Sequence, residues 1–157
     1  GKSNIIANLN MNKKDAFLID FKGDRELINM FIYSRGINLL IEDNQNNKII
    51  RLKEIVKLII KDIVANQFKY IIIDEAEPLF NNINEFKNEE LLNLVKYILD
   101  FVRVSDVILI LVSQEKIETP LCKIEPFEIL NFNEVNIVRE KIEAYIKDWY
   151  WTLLVKI

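Results

Sequence analysis

The chain has 157 residues, half of them hydrophobic, a formal net charge of −3, no histidine and a single cysteine. That length fits one domain with a real core, and the missing residue types exclude a disulfide framework, a thiolate metal cluster and histidine-based metal or acid–base chemistry. Acid–base work must fall to carboxylates, lysines or tyrosines, the simplest setting is a reducing cytoplasm, and binding to DNA would require a local basic patch or charge from a segment outside the chain.

In chain order, residues 3–9 predict the first turns of a helix, with Ile5, Ile6 and Leu9 on one side, and residues 10–15 a polar turn. Residues 16–20 form a short apolar run closed by Asp20 and predict a strand; residues 23–33 follow as a helix. A second strand is expected over 37–42 and a turn over 43–47. Residues 52–65 carry Leu52, Ile55, Val56, Ile59, Ile60 and Ile63 at helical spacing with a broad buried stripe. The continuous run 70–73 predicts a strand buried on both faces, the Asn-rich stretch 81–88 a loop, 89–102 an amphipathic helix and 107–112 another fully buried strand. A strand over 127–132, a helix over 134–147 and an aromatic strand or helix over 149–155 complete the chain. No apolar run approaches the roughly 20 residues a bilayer requires. Strands alternating with helices predict one α/β unit over 1–157, with a mostly parallel sheet between helical layers.

Four short motifs carry chemistry. Gly1-Lys2-Ser3 has the residues that close a phosphate loop: backbone N–H groups for the phosphates, a lysine for the β and γ oxygens, and a hydroxyl for magnesium at a helix N-terminus. The glycine that the full pattern places five residues earlier lies outside the sequence, and the chain starts inside the motif without a methionine, so it is expected to be a fragment cut in that loop. The run 70–73 ends in Asp74-Glu75, an acid to hold magnesium through water and an acid to polarise a lytic water. The run 107–112 is followed by Ser113-Gln114, polar groups at the end of a neighbouring strand. The run 16–19 is followed by Asp20-Phe21-Lys22-Gly23, in which Asp20 and Lys22 by themselves read as a solvated turn.

The order Gly-Lys-Ser, Leu-Ile-Asp-Phe-Lys-Gly, Ile-Ile-Ile-Asp-Glu-Ala-Glu-Pro-Leu and Ile-Leu-Val-Ser-Gln-Glu-Lys resembles the FtsK/HerA superfamily of P-loop ATPases over residues 1–116. The forty positions between Asp74 and Gln114 match the spacing seen there. The resemblance implies a RecA/FtsK-like three-layer P-loop NTPase core that binds ATP and Mg2+. Lys2 and Ser3, with Gly1, would contact phosphate, and Ser3 and Asp74 would serve magnesium. Glu75 would be the catalytic base, Gln114 the sensor, and Arg103 a candidate arginine donated to a neighbouring subunit. It further implies a homo-oligomeric ring, hexameric as is general in such families, that moves DNA, or alternatively a protein substrate. The setting would be the cytoplasm or the inner membrane face, reached through segments outside the chain. Phe21 stands where the family has proline, and Glu115-Lys116 where it has Arg-Pro. Those departures leave a degenerate module for assembly or substrate recognition, as in type VII secretion ATPases, as the alternative.

Trp149, Tyr150 and Trp151 are expected in packing rather than in stacking on nucleic acid. Cys122 is expected to be inert, Lys57, Lys61 and Lys69 to be solvated, and Glu89-Glu90 to sit favourably at a helix start.

Overall fold

The computed structural model describes residues 6–7, 9, 11–23, 25–38, 44–105, 107–113, 117, 121–122, 129–131, 140, 142–144 and 152–156. Its strands are β1 (Ala16–Asp20), β2 (Tyr33–Gly36), β3 (Tyr70–Asp74), β4 (Ile108–Ser113), β5 (Ile129–Asn131) and β6 (Thr152–Lys156). The helices are α1 (Arg25–Asn29), α2 (Gln45–Ala65), α3 (Glu77–Phe86) and α4 (Glu89–Val104). All strands join one sheet in the order β2-β1-β3-β4-β6-β5, and each adjacent pair is parallel.

Every residue of β1 and β4 is buried, as are the last four of β3. Because side chains alternate across a strand, such runs feed two cores at once. Phe17, Ile19, Ile71, Ile73, Leu109 and Leu111 enter one cluster with the inner faces of α2, α3 and α4. Leu18, Ile72, Ile108, Ile110 and Val112 enter the other, with Ile6, Leu9, Leu27 of α1, Phe31 and Ile142. Apolar layers on both sheet faces are compatible with a three-layer α/β fold.

The helix predicted at 52–65 begins earlier, at Gln45, so that residues 45–47 of the turn expected over 43–47 are its first turn, because Asn44 caps it: its side-chain oxygen accepts the Asn46 N–H at 2.9 Å. Buried Ile49, Leu52, Val56, Ile59 and Ile63 line its inner face. A two-pronged ion pair between Arg35 of β2 and Asp62 of α2, with Nη2 donating to Oδ1 at 3.1 Å, ties the edge strand to this helix. Asp62 raises the Arg35 pKa, chiefly through that hydrogen bond. Lys53 and Lys57 reach Glu90 at 3.3 and 3.0 Å and join α2 to the start of α4. Glu89 and Glu90 lie in the first turn of α4, where Asn88 accepts the Leu91 N–H at 3.0 Å.

Three expectations are corrected. The helix expected over 23–33 is only Arg25–Asn29; bonds from Met30 N–H to the Leu27 carbonyl and from Phe31 N–H to that of Ile28 tighten its end, and Tyr33 already belongs to β2. The strand beside β1 lies ahead of the run expected at 37–42: Tyr33–Gly36 occupies the sheet edge, where its exposed and half-buried residues give no apolar run to recognise, and the described residues 37 and 38 are not strand. Ile37 follows it, buried, with its N–H bonded to the Asp20 carbonyl at 2.9 Å, and residues 39–42 lie outside the described residues. The Asn-rich stretch expected to be a loop is mostly helix α3, because Leu79, Phe80 and Ile83 bury one face and Pro78 suits its first turn. Lys87, left-handed at φ 49°, ends it.

The predicted 10–15 turn contains a 3-10 turn at Lys13–Asp15, and the 127–132 run contributes β5. Of the helix at 134–147, the described residues Glu140 and 142–144 are helical. The end of the chain, left open between strand and helix, forms β6. Residues 6–7 of the first predicted helix are helical, and its remainder, apart from Leu9, is outside the described residues. Among the described residues no helix is long and apolar enough to cross a membrane.

Leu52 is fully buried at the α2–sheet contact, whereas Leu58 is 41% exposed on the same helix. Leu52→Ala should lower unfolding free energy by about 2–5 kcal/mol and Leu58→Ala by less than about 1 kcal/mol in chemical denaturation. Equal losses would mean that α2 does not pack as described.

Candidate functional site

In a parallel sheet all strand ends of one kind fall on one edge, where α/β folds gather ligand-binding groups. The β1–β3 register pairs Asp20 with Asp74, and the β3–β4 register pairs Asp74 with Val112, so Ser113 lies one position further along. Asp20, Asp74 and Ser113 are the buried polar side chains among the described residues, at 0, 2 and 0% exposure. They occupy the carboxyl ends of three adjacent strands. A buried polar group is costly without hydrogen bonds, so the concentration of buried polarity at these carboxyl ends sets them apart from the rest of the core.

The backbone around these residues is tied down. Asp74 Oδ1 accepts the N–H of Glu75 at 3.0 Å, and Asp20 Oδ1 that of Lys22 at 2.8 Å. Across strands, Phe21 N–H donates to the Asp74 carbonyl at 3.3 Å and Ala76 N–H to the Val112 carbonyl at 3.1 Å. Between these anchors Glu75 is held in the left-handed region at φ 53°. A non-glycine residue pays on the order of 1–3 kcal/mol for such a conformation, and it persists only where the surroundings impose it. Here the imposition is the sharp passage from β3 into α3. It breaks the side-to-side alternation of the strand just where a second carboxylate follows the first.

Of the sequence-predicted residues, Asp74 and Glu75 come together at this edge, and Ser113 brings the end of β4 beside them. Gly1, Lys2, Ser3 and Gln114 lie outside the described residues, as do Trp149, Tyr150 and Trp151. Arg103 is exposed in the last turn of α4, before β4 begins, so it lies toward the opposite edge of the sheet. The six residues of β4 span about 20 Å, which puts Arg103 beyond reach of its own chain's Asp74 and Glu75. Asp20 was expected in a solvated turn and is instead wholly buried; Lys22 is exposed as expected. The signal that could have found Asp20 is its likeness to Asp74, since each carboxylate closes an apolar run.

Two hollows lie elsewhere. A cavity of about 410 Å³ opens between Ile63, Phe68, Ile71, Phe101 and Val107 at the amino edge of the sheet, and a groove of about 590 Å³ crosses Ile60, Leu94 and Tyr97. Neither is lined by Asp20, Asp74 or Glu75, and the chemistry of the edge is the better guide to a site than either hollow. Cys122 is buried, and burial pushes its thiol pKa up against the opposing charge of Lys96, which suits an inert residue. Lys69 faces Asp15 at 3.6 Å and Lys57 pairs with Glu90, so both are engaged at the surface. No group of three or more His, Cys, Asp or Glu side chains among the described residues could hold a metal ion.

No family model, curated protein or solved structure matches the chain.

Glycine adopts φ 53° freely and a β-branched residue does so worst. Replacing Glu75 by glycine should therefore leave the unfolding free energy unchanged or raise it by up to about 1 kcal/mol, while Glu75→Val should lower it by about 1–2 kcal/mol. Denaturant melts in which the valine variant equals or exceeds the glycine variant would show that position 75 is not left-handed.

Proposed function

We propose that the carboxyl edge of the sheet binds magnesium-ATP and hydrolyses it, in a divergent P-loop ATPase of the FtsK/HerA kind. The observation that carries this is the strained Glu75 beside buried Asp74, at the mouth of a parallel sheet and flanked by Asp20 and Ser113. Strain held by a surrounding network at a sheet's carboxyl edge is a recurrent property of catalytic positions.

The donor set fits magnesium. That ion keeps several waters and takes one or two carboxylates together with substrate phosphates, so a complete protein cage is not required. Asp74 would hold it through water, with the Ser3 hydroxyl as a second contact, and the ion would supply charge neutralisation for the phosphates. Gly1 and Lys2 would contact phosphate. Glu75 would orient the attacking water and accept its proton, and Gln114 would contact that water or the γ-phosphate. With no histidine in the chain, a carboxylate is the natural base for this step.

Hydrolysis in a homo-oligomeric ring would drive translocation of DNA, with a neighbour's Arg103 as the candidate trans cation. The position of Arg103 away from its own chain's acids favours action across subunits over action within one. A protein substrate is the other cargo that fits the net charge of −3. The divergent turn at Phe21 favours a second reading, a module that binds nucleotide without turnover and serves assembly.

Glu75→Gln should cut magnesium-dependent ATP hydrolysis by the full protein about 10²–10⁴-fold while leaving nucleotide affinity within a few-fold. Turnover by the parent that survives the substitution would remove Glu75 from catalysis. Binding without turnover in the parent would favour the assembly module.

A further inference from the structure

Asp20 does more than end a strand. An apolar residue would fill the core at this position without the penalty of burying a carboxylate. The Asp20 side chain is fully buried, and its Oδ1 accepts the Lys22 N–H at 2.8 Å. The turn it closes is held on every side. The Asp20 carbonyl accepts the N–H of Ile37, just past β2, at 2.9 Å, and Phe21 donates to the Asp74 carbonyl of β3 at 3.3 Å. The Phe21 ring is buried, and Gly23 completes the turn at φ 78°, a conformation that favours glycine. Within 21–23 Lys22 is the exposed residue, raised from an otherwise anchored loop.

The acids around it give the lysine a purpose. Asp20, Asp74 and Glu75 are three carboxylates at one edge, and a nucleoside triphosphate would bring several more negative charges to it. Magnesium offsets part of that charge, and a fixed cation offsets more. Neighbouring strands lie about 4.8 Å apart, and a four-carbon lysine stem reaches about 6 Å. Lys22 can therefore cover the end of β3, where Asp74 and Glu75 lie, from the end of β1. Among the described residues its ammonium forms no ion pair with these acids.

We propose that Lys22 is an anion-binding residue of this site, contacting the terminal phosphate oxygens of the bound nucleoside triphosphate, and that Asp20 is its positioning residue. The assignment rests on the magnesium-ATP reading above. Lysine is suited to it as a compact point charge for phosphate. Because the contact is to the terminal phosphate, it separates triphosphate from diphosphate.

The test is calorimetric binding of magnesium-ATP and magnesium-ADP to the full protein and to its Lys22→Ala, Lys22→Gln, Lys22→Arg, Asp20→Ala and Asp20→Asn variants, with a thermal melt of each. Lys22→Ala and Lys22→Gln should bind magnesium-ATP about tenfold more weakly and magnesium-ADP within about twofold of the parent, with unchanged melts, since Lys22 is exposed. Lys22→Arg should recover most of the affinity. Asp20→Ala removes the oxygen that accepts the Lys22 N–H and should weaken magnesium-ATP binding about as much as Lys22→Ala while sparing magnesium-ADP, and Asp20→Asn, which keeps that oxygen, should restore most of the affinity. Parental binding with no change on losing the Lys22 charge would overturn the assignment and leave the ATP site standing. Equal weakening toward both nucleotides would overturn the terminal-phosphate contact. Parental magnesium-ATP binding by Asp20→Ala, or loss in Asp20→Asn as large as in Lys22→Ala, would overturn the positioning role. Failure of the parent to bind magnesium-ATP would overturn the site reading itself, and the Lys22 assignment with it.

Discussion

A parallel sheet covered on both faces offers its central strands no route to water except at their ends, and this constraint orders the rest of the molecule. β1, β3 and β4 are buried along nearly their whole length, so a polar side chain within them would need a partner inside the core. The hydrogen-bond ladder then fixes which ends coincide. Asp20 stands beside Asp74, and Ser113 lies one step beyond the level of Asp74, because the registers of β1, β3 and β4 leave no slack. Slipping one strand by one residue would exchange its two faces, moving Ile71 and Ile73 from one core to the other and parting the acids in the same movement. Core and site are set by a single register.

The same constraint explains what could be read from sequence. Runs such as Ala16–Asp20, Tyr70–Asp74 and Ile108–Ser113 announce themselves because burial on both faces requires unbroken apolar residues, and their polar last residues mark the edge. Asp74-Glu75 was legible as a pair on that ground. β2 was not legible, because an edge strand has one neighbour and half-exposed residues, so Tyr33–Gly36 carries no periodic signal. The apolar residues just after it drew the expectation instead, and Ile37, the first of them, is buried beyond the end of the strand. α3 was hidden by asparagines, whose weak helix propensity is outweighed once Leu79, Phe80 and Ile83 find the core. The burial of Asp20 was hidden for a different reason: a carboxylate followed by Phe-Lys-Gly looks like an ordinary turn until the neighbouring strand shows what closes over it.

Conformation at Glu75 links the edge to the helical layer. Ala76 is fully buried and bonded to the Val112 carbonyl, and α3 starts at the next residue with Leu79 and Phe80 packed into the larger core. The chain between Asp74 and Ala76 therefore has to turn within one residue, and Glu75 absorbs the turn at φ 53°. Packing of α3 supplies the free energy that keeps a carboxylate in a conformation glycine would accept without strain. A residue there chosen for folding alone would be glycine. Lys87 carries the same kind of conformation where a helix ends, but Glu75 carries it between a buried strand and a helix, beside a second carboxylate, and local conflicts of this kind are expected where a site has to work.

That conflict also distinguishes how the two acids at the edge are mounted. Glu75 is tied to Asp74 by one peptide bond and the Oδ1 contact at 3.0 Å on one side, and leads directly into α3 on the other. Asp20, by contrast, is fastened to β2 and β3 through backbone bonds on both sides and has no helix directly attached. One acid is thus mounted on the sheet and the next on a strand–helix junction.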